Sequence, residues 1–169
     1  MTRFVSQRFD KTRHNRELFA SGNRDIDDYL TRGLTQDIKR NFVKCYVLIE
    51  RLTGKIAGYY TLSSASIPLN CIPQELARKL PRYPNAPATL IGRLGRDLAF
   101  KGEGVGKMLL FDAIRRVAND HSASYAICAE AIDENAANFY ATHGFQPLAL
   151  DSGTSFFLPM GTALQLIET

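Results

Sequence analysis

Between Ala88 and Asn119 an apolar run, a turn with three alternating glycines and an amphipathic run follow one another without interruption. Residues 88–96 (ATLIGRLGR) read as a central strand, because apolar residues dominate and the glycine-rich turn follows directly. In that turn, Lys101-Gly102-Glu103-Gly104-Val105-Gly106, glycine permits positive φ and leaves no side chain to block a close approach of the backbone. Val105, Leu109, Leu110, Ala113, Ile114 and Val117 then recur at helical spacing, which predicts a helix from about Gly106 to Asn119. A strand, turn and helix in this order aim successive backbone N–H groups at one anion, with the positive end of the helix dipole behind them. Phosphate is the natural ligand.

The spacing rules out two common phosphate-binding turns. A dinucleotide fingerprint needs G-x-G-x-x-G, but Lys107 occupies the last position; a P-loop needs Ser or Thr after Gly106-Lys107, where Met108 stands. A tight strand-to-helix turn without a ligand is the competing account.

The remaining elements alternate around this centre. Ile26, Tyr29, Leu30, Leu34 and Ile38 form one face of a helix, with Asn23 or Asp25 as cap candidates. Residues 42–50 and 55–63 are rich in β-branched and aromatic side chains and read as an antiparallel hairpin around Arg51-Leu52-Thr53-Gly54. Five prolines (Pro68, Pro73, Pro81, Pro84, Pro87) predict an irregular excursion over 64–88, with one short helix between Pro73 and Leu80. A strand over 125–130, a helix over 134–143 closed by Gly144, and a strand over 155–160 complete the pattern. The expectation is an α/β (α+β) fold with a mixed central sheet flanked by helices. No repeat, low-complexity tract or linker divides residues 1–169, so a single domain is expected.

The formal net charge of +4 and pI near 9.0 favour a polyanionic partner, either nucleic acid or the phosphates of a nucleotide cofactor, against the plainer account of a solvated basic face. No apolar run approaches the roughly 20 residues that cross a bilayer, and the N-terminus lacks a secretory apolar run, so a cytoplasmic location is expected. Cys45, Cys71 and Cys128 form no C-x-x-C pair and read as small core residues. His14, His121 and His143 share no ligand spacing, and no metal is expected.

The turn at 101–106, preceded by a strand and followed by an amphipathic helix, resembles the Q/R-x-x-G-x-G/A pyrophosphate loop of the GCN5-related N-acetyltransferases (GNAT). Asn135-Ala136-Ala137-Asn138-Phe139-Tyr140 and His143-Gly144-Phe145 resemble that family's later helix motif. Lys101 stands where Gln or Arg is usual, keeping the charge and losing the planar fork. Phe19–Asn23, Ile26–Leu30, Gly58–Leu62 and Gly92–Asp97 are similar to the tRNA-acetylating toxins of bacterial type II toxin-antitoxin systems.

The resemblance implies a GNAT fold with a mostly antiparallel sheet and acetyl-CoA as acetyl donor. It further implies aminoacyl-tRNA as acceptor, arrest of translation, a ribbon-helix-helix antitoxin as partner, and a homodimer. It assigns the pyrophosphate to Lys101, Gly102, Glu103, Gly104, Val105, Gly106 and Lys107, and the pantetheine to the backbone of Leu94, Gly95 and Arg96. Small and valine residues are common in the family where Gly95 and Arg96 stand. Tyr140 matches the tyrosine that protonates the leaving thiolate; Asn135 and Asn138 are CoA contacts, and Asn135 is also a cap candidate. Lys39, Arg40, Lys44, Arg78, Lys79, Arg82 and Arg93 are the candidates for RNA phosphate contacts. No obligatory base stands out, which fits an α-amino group of pKa about 7.7 to 8.0 better than a lysine near 10.4. The alternatives are a GNAT enzyme for a protein N-terminus or small amine, and a non-catalytic CoA-binding module.

Overall fold

The computed structural model describes residues 2–150 and 152–168. Its elements are β1 (Phe4–Arg8), α1 (Arg24–Asp28), a π-helical turn (Tyr29–Gly33), α2 (Leu34–Lys39), β2 (Lys44–Glu50), β3 (Ile56–Pro68), a 3-10 turn (Leu69–Cys71) and α3 (Gln74–Ala77). There follow β4 (Asn85–Arg96), a 3-10 turn (Leu98–Phe100), α4 (Val105–Ala118), β5 (Ala126–Glu130), α5 (Glu134–Thr142), β6 (Gln146–Pro147), β7 (Ser155–Pro159) and α6 (Met160–Glu168). The strand order is β1-β2-β3-β4-β5-β7-β6. β4 and β5 run parallel, whereas β1–β2, β2–β3, β5–β7 and β6–β7 are antiparallel. This is the mixed, mostly antiparallel sheet that was expected. The chain divides into two compact units, Met1–Ser63 with Gly92–Ala113 and Ser64–Ile91 with Ile114–Thr169.

In the first unit, β1 pairs with β2 from Phe4↔Glu50 to Arg8↔Tyr46, and β2 pairs with β3 across the expected hairpin, where Gly54 has φ +71°. Alternation along the strands sorts side chains to two faces. Cys45, Val47, Ile49 and Tyr59 join Ile26, Tyr29, Leu30 and Leu34 in one core. From α4, the Asp112 carboxylate accepts hydrogen bonds from the hydroxyls of Ser6 and Tyr60, each at 2.6 Å, and so ties the helix to β1 and β3. Gly58 lets these elements approach: a Cβ there would lie 2.6 Å from Leu109 Cδ1 and 2.8 Å from the Gly95 carbonyl oxygen.

Asn23 caps α1, its Oδ1 accepting from the Ile26 amide at 3.1 Å, so of the two candidates Asp25 is not the cap. The uninterrupted helix expected over 26–38 is corrected by the π turn, across which the Leu34 amide donates to the Tyr29 carbonyl. Such a turn loosens the regular i→i−4 ladder. Side chains serve two of its neighbouring carbonyls: Tyr59 Oη donates to Ile26 O at 2.6 Å and Arg16 Nη1 to Leu30 O at 2.9 Å.

In the second unit, β4 and β5 pair in parallel from Ala88↔Ala126 to Ile91↔Ala129, and β5 pairs with β7. Ile67, Cys71, Ile72, Ala126, Cys128, Leu148 and Phe157 share a core. The irregular excursion expected over 64–88 is shorter than its prolines imply, because β3 continues to Pro68 and β4 begins at Asn85. Proline forfeits a donor and keeps its acceptor. Pro87 inside β4 uses that acceptor, taking the Tyr125 amide at 2.8 Å. β1, β6 and α6 were not anticipated.

The three cysteines are buried and free, as expected of core residues. Among the described residues no group of three or more His, Cys, Asp or Glu could hold a metal ion, and no helix is long and apolar enough to cross a membrane.

Candidate functional site

The glycine turn lies in the first unit. Gly102 and Gly104 have φ of +82° and +76°, values that L side chains rarely adopt. A Cβ on either would meet nothing within 4 Å, so the requirement for glycine comes from the backbone conformation and the space above the turn is open. The Met108 amide donates to the Gly104 carbonyl at 3.0 Å, the first bond of α4. The amides of Val105, Gly106 and Lys107 precede it and have no intrahelical acceptor. Val105 is buried and anchors the turn, while Lys101 and Lys107 expose their side chains. An anion placed here meets backbone donors and a helix N-terminus, while the Lys107 ammonium lies over the Phe111 ring, 5.3 Å from its centroid.

Glu103 adds a negative charge to this cradle, and Arg3 takes it up. Arg3 Nη1 lies 2.7 Å from Glu103 Oε1, while Arg3 Nε and Nη2 reach Glu50 Oε2 at 2.7 and 2.5 Å. The hydrogen bonds to Glu103 and Glu50 raise the Arg3 pKa, and those from Thr53 and Arg3 lower that of Glu50. Arg3 escapes a sequence reading, because the strand register that brings Phe4 opposite Glu50 is a tertiary fact.

Upstream of the turn, Leu94 and Arg96 are half-buried and Gly95 is buried. A Cβ on Gly95 would lie 2.5 Å from Ile26 Cγ2, so glycine there is already required by the approach of α1. Arg96 Nε is buried without a hydrogen-bond partner among the described residues.

Tyr140 lies on α5 in the second unit and is 4% exposed. The rings of Phe139, Phe145 and Phe156 surround it, with centroids 5.4, 5.1 and 6.5 Å away. Burial pushes its pKa well above the ordinary tyrosine value. The helix is capped by Asp133, whose Oδ1 accepts from the Ala136 amide at 2.8 Å, which corrects Asn135 as the cap. Asn135 and Asn138 are exposed on α5.

The basic candidates fall into two groups. Lys39, Arg40 and Lys44 are exposed in the first unit, on either side of the left-handed Asn41. Arg78, Lys79 and Arg82 are exposed in the second, just after α3. Arg93 differs, because its guanidinium stacks 3.5 Å from the ring centroid of Tyr29, whose hydroxyl donates to Asp37 at 2.8 Å.

No protein-family model matches the chain. The chain is 32% identical over 130 residues, 76% of both chains, to a "tRNA-acetylating toxin" of Mycobacterium tuberculosis. It is 27% identical over 172 residues, 96% of this chain and 94% of the relative, to a "probable toxin TacT" of Sinorhizobium fredii. Among solved structures, AtaT complexed with acetyl-methionyl-tRNAfMet superimposes with a TM-score of 0.87 at 25% identity, covering 98% of this chain and 99% of AtaT. AtaTR bound with acetyl-CoA gives 0.83, also at 25% identity, with 98% and 99% covered. The chain belongs to the tRNA-acetylating toxins, the GNAT-fold toxins of type II toxin-antitoxin systems.

Proposed function

We propose that residues 1–169 act as one acetyltransferase domain that moves an acetyl group from acetyl-CoA to the α-amino group of aminoacyl-tRNA and thereby stops translation. The observation that carries this reading is the positive-φ turn at the head of α4, with open space above it and free amides beside it, in a chain of this family. Acetyl-CoA supplies the acyl group as a reactive thioester. Gly102 to Lys107 bind the diphosphate through backbone donors, and Lys101 and Lys107 add positive charge. The backbone of Leu94, Gly95 and Arg96 orients the pantetheine, while Asn135 and Asn138 contribute side-chain contacts.

Tyr140 Oη holds the proton that goes to the departing sulfur. Its raised pKa keeps the phenol protonated across the physiological range, as a donor must be. The acceptor needs no base from the protein: an α-amino group with a pKa of about 7.7 to 8.0 is substantially neutral near pH 7.5, and its adjacent ester lowers that pKa further.

Lys39, Arg40 and Lys44, with Arg78, Lys79 and Arg82, bind RNA phosphates, and Arg93, held over Tyr29, adds a further phosphate contact. A ribbon-helix-helix antitoxin covers the basic site with an acidic tail. The enzyme is a cytoplasmic homodimer.

The test is transfer of labelled acetyl from acetyl-CoA to a pool of charged tRNAs by the wild type and by Tyr140→Phe. Label is expected on charged tRNA, with a rate lower by roughly a hundredfold or more in the variant and with acetyl-CoA binding retained. Acetyl-CoA binding without label on tRNA removes aminoacyl-tRNA as the acceptor and leaves a protein N-terminus or a small amine.

A further inference from the structure

The diphosphate cradle contains a carboxylate in an unfavourable place. Glu103 lies between Gly102 and Gly104, two positive-φ positions at which an added Cβ would meet nothing within 4 Å. A free carboxylate there repels any phosphate bound to the amides of the turn. The sequence retains the charge, and the fold answers it from 100 residues away with the Nη1 of Arg3 at 2.7 Å. Arg3 is itself fixed on three sides. Its Nε and Nη2 reach Glu50, whose other oxygen accepts from Thr53 Oγ1 at 2.7 Å, and its guanidinium lies 5.1 Å from the Phe4 centroid and 5.6 Å from that of Phe100. Phe100 is buried, and its carbonyl accepts the Glu103 amide at 3.2 Å, so the same ring that seats Arg3 belongs to the residue that bends the turn.

We propose that Arg3 is a positioning residue for acetyl-CoA: it neutralises Glu103, pulls that carboxylate away from the amides of Gly104 to Lys107, and so tunes affinity for the diphosphate. The inference rests on the proposed binding of acetyl-CoA at this turn. Arg3 and Glu103 have side chains 49% and 35% exposed, so the pair contributes little to folding stability and its main effect is on the local potential. Leaving the carboxylate unpaired beside a bound phosphate adds like-charge repulsion that weakens binding by about tenfold.

The experiment measures acetyl-CoA affinity by calorimetry, and transfer kinetics with two donors, acetyl-CoA and S-acetyl-pantetheine, which has no diphosphate. Arg3→Ala is expected to weaken acetyl-CoA binding about tenfold and raise its KM with kcat retained, while kcat/KM for S-acetyl-pantetheine stays at the wild-type value. Adding Glu103→Gln to Arg3→Ala is expected to restore most of the affinity, although that double variant has no ion pair to restore. Unchanged binding in Arg3→Ala, equal losses with both donors, or a double variant as weak as the single one each overturns the inference. If the wild type binds no acetyl-CoA, the underlying assignment of the turn fails instead.

Discussion

The carbonyl of Tyr140 accepts the amide N–H of Phe145 at 3.0 Å, and the two rings pack with centroids 5.1 Å apart. Together with the Gly144 amide donating to Ala141 O at 3.1 Å, this is the double bond pattern that ends a helix in a left-handed residue, with an apolar contact across it. The spacing of Tyr140, Gly144 and Phe145 therefore has a physical cause. Gly144 closes the helix, and Phe145 fixes the ring five positions before it. Gly144 has φ +90°, and a Cβ there would sit 3.6 Å from Leu158 Cδ1, an ordinary contact. Gly144→Ala is accordingly expected to cost about 1 to 2 kcal/mol through backbone strain alone. Urea denaturation of the variant measures this loss, and transfer at saturating substrates is expected to fall with it because Tyr140 loses its stop.

Gly58→Ala meets a different obstacle. Its new methyl would press on Leu109 Cδ1, which can turn aside, and on the Gly95 carbonyl oxygen at 2.8 Å, which cannot. A loss of about 1 to 3 kcal/mol is expected from overpacking. A lower thermal midpoint with acetyl-CoA affinity reduced alongside it would mark displacement of α4 from the sheet.

Gly104→Ala separates folding from binding. Nothing lies within 4 Å of the added Cβ, so only the strain of φ +76° reaches stability, about 1 to 2 kcal/mol. The same methyl fills space required for backbone approach to the diphosphate, so calorimetry is expected to show acetyl-CoA affinity reduced at least tenfold. Wild-type affinity in a folded Gly104→Ala protein would remove the turn from the binding site.

Acid sensitivity of the fold is expected from His14. Its Nδ1 accepts the Asp10 amide at 3.0 Å, which requires the neutral ring with its proton on Nε2, donated to Gln7 Oε1 at 2.9 Å. Burial, and secondarily Arg13, lowers its pKa below the usual histidine value. The unfolded chain therefore binds the proton more readily, so this contribution is complete above pH about 6.5 and is lost as pH falls below it. Thermal unfolding between pH 7 and 5 is expected to show a falling midpoint in the wild type and a flatter profile in His14→Gln. Equal slopes in the two proteins would assign the acid limb to other groups.

Much of the site's backbone was legible in advance because it depends on local rules. The apolar period of α4 holds position by position: Val105, Leu109, Leu110, Ala113, Ile114 and Val117 are all buried. Glycines at 102, 104 and 144 do adopt positive φ. The prolines between 64 and 88 misled, because a local breaker signal carries no information about which hydrogen bonds a strand needs. Pro68 and Pro87 sit in strands that do not require their missing N–H.

By itself the sequence determined the order of the central elements, the turn geometry and the closure of α5, since each follows from the period of apolar residues or the backbone freedom of glycine within a few positions. Tertiary structure alone decided that Arg3 faces Glu103, that Asp112 ties α4 to Ser6 and Tyr60, and that the helix after Asn23 widens into a π turn under Tyr59 and Arg16. These pairings join residues distant in sequence through strand register and packing. Their energies depend on distances that no local pattern encodes.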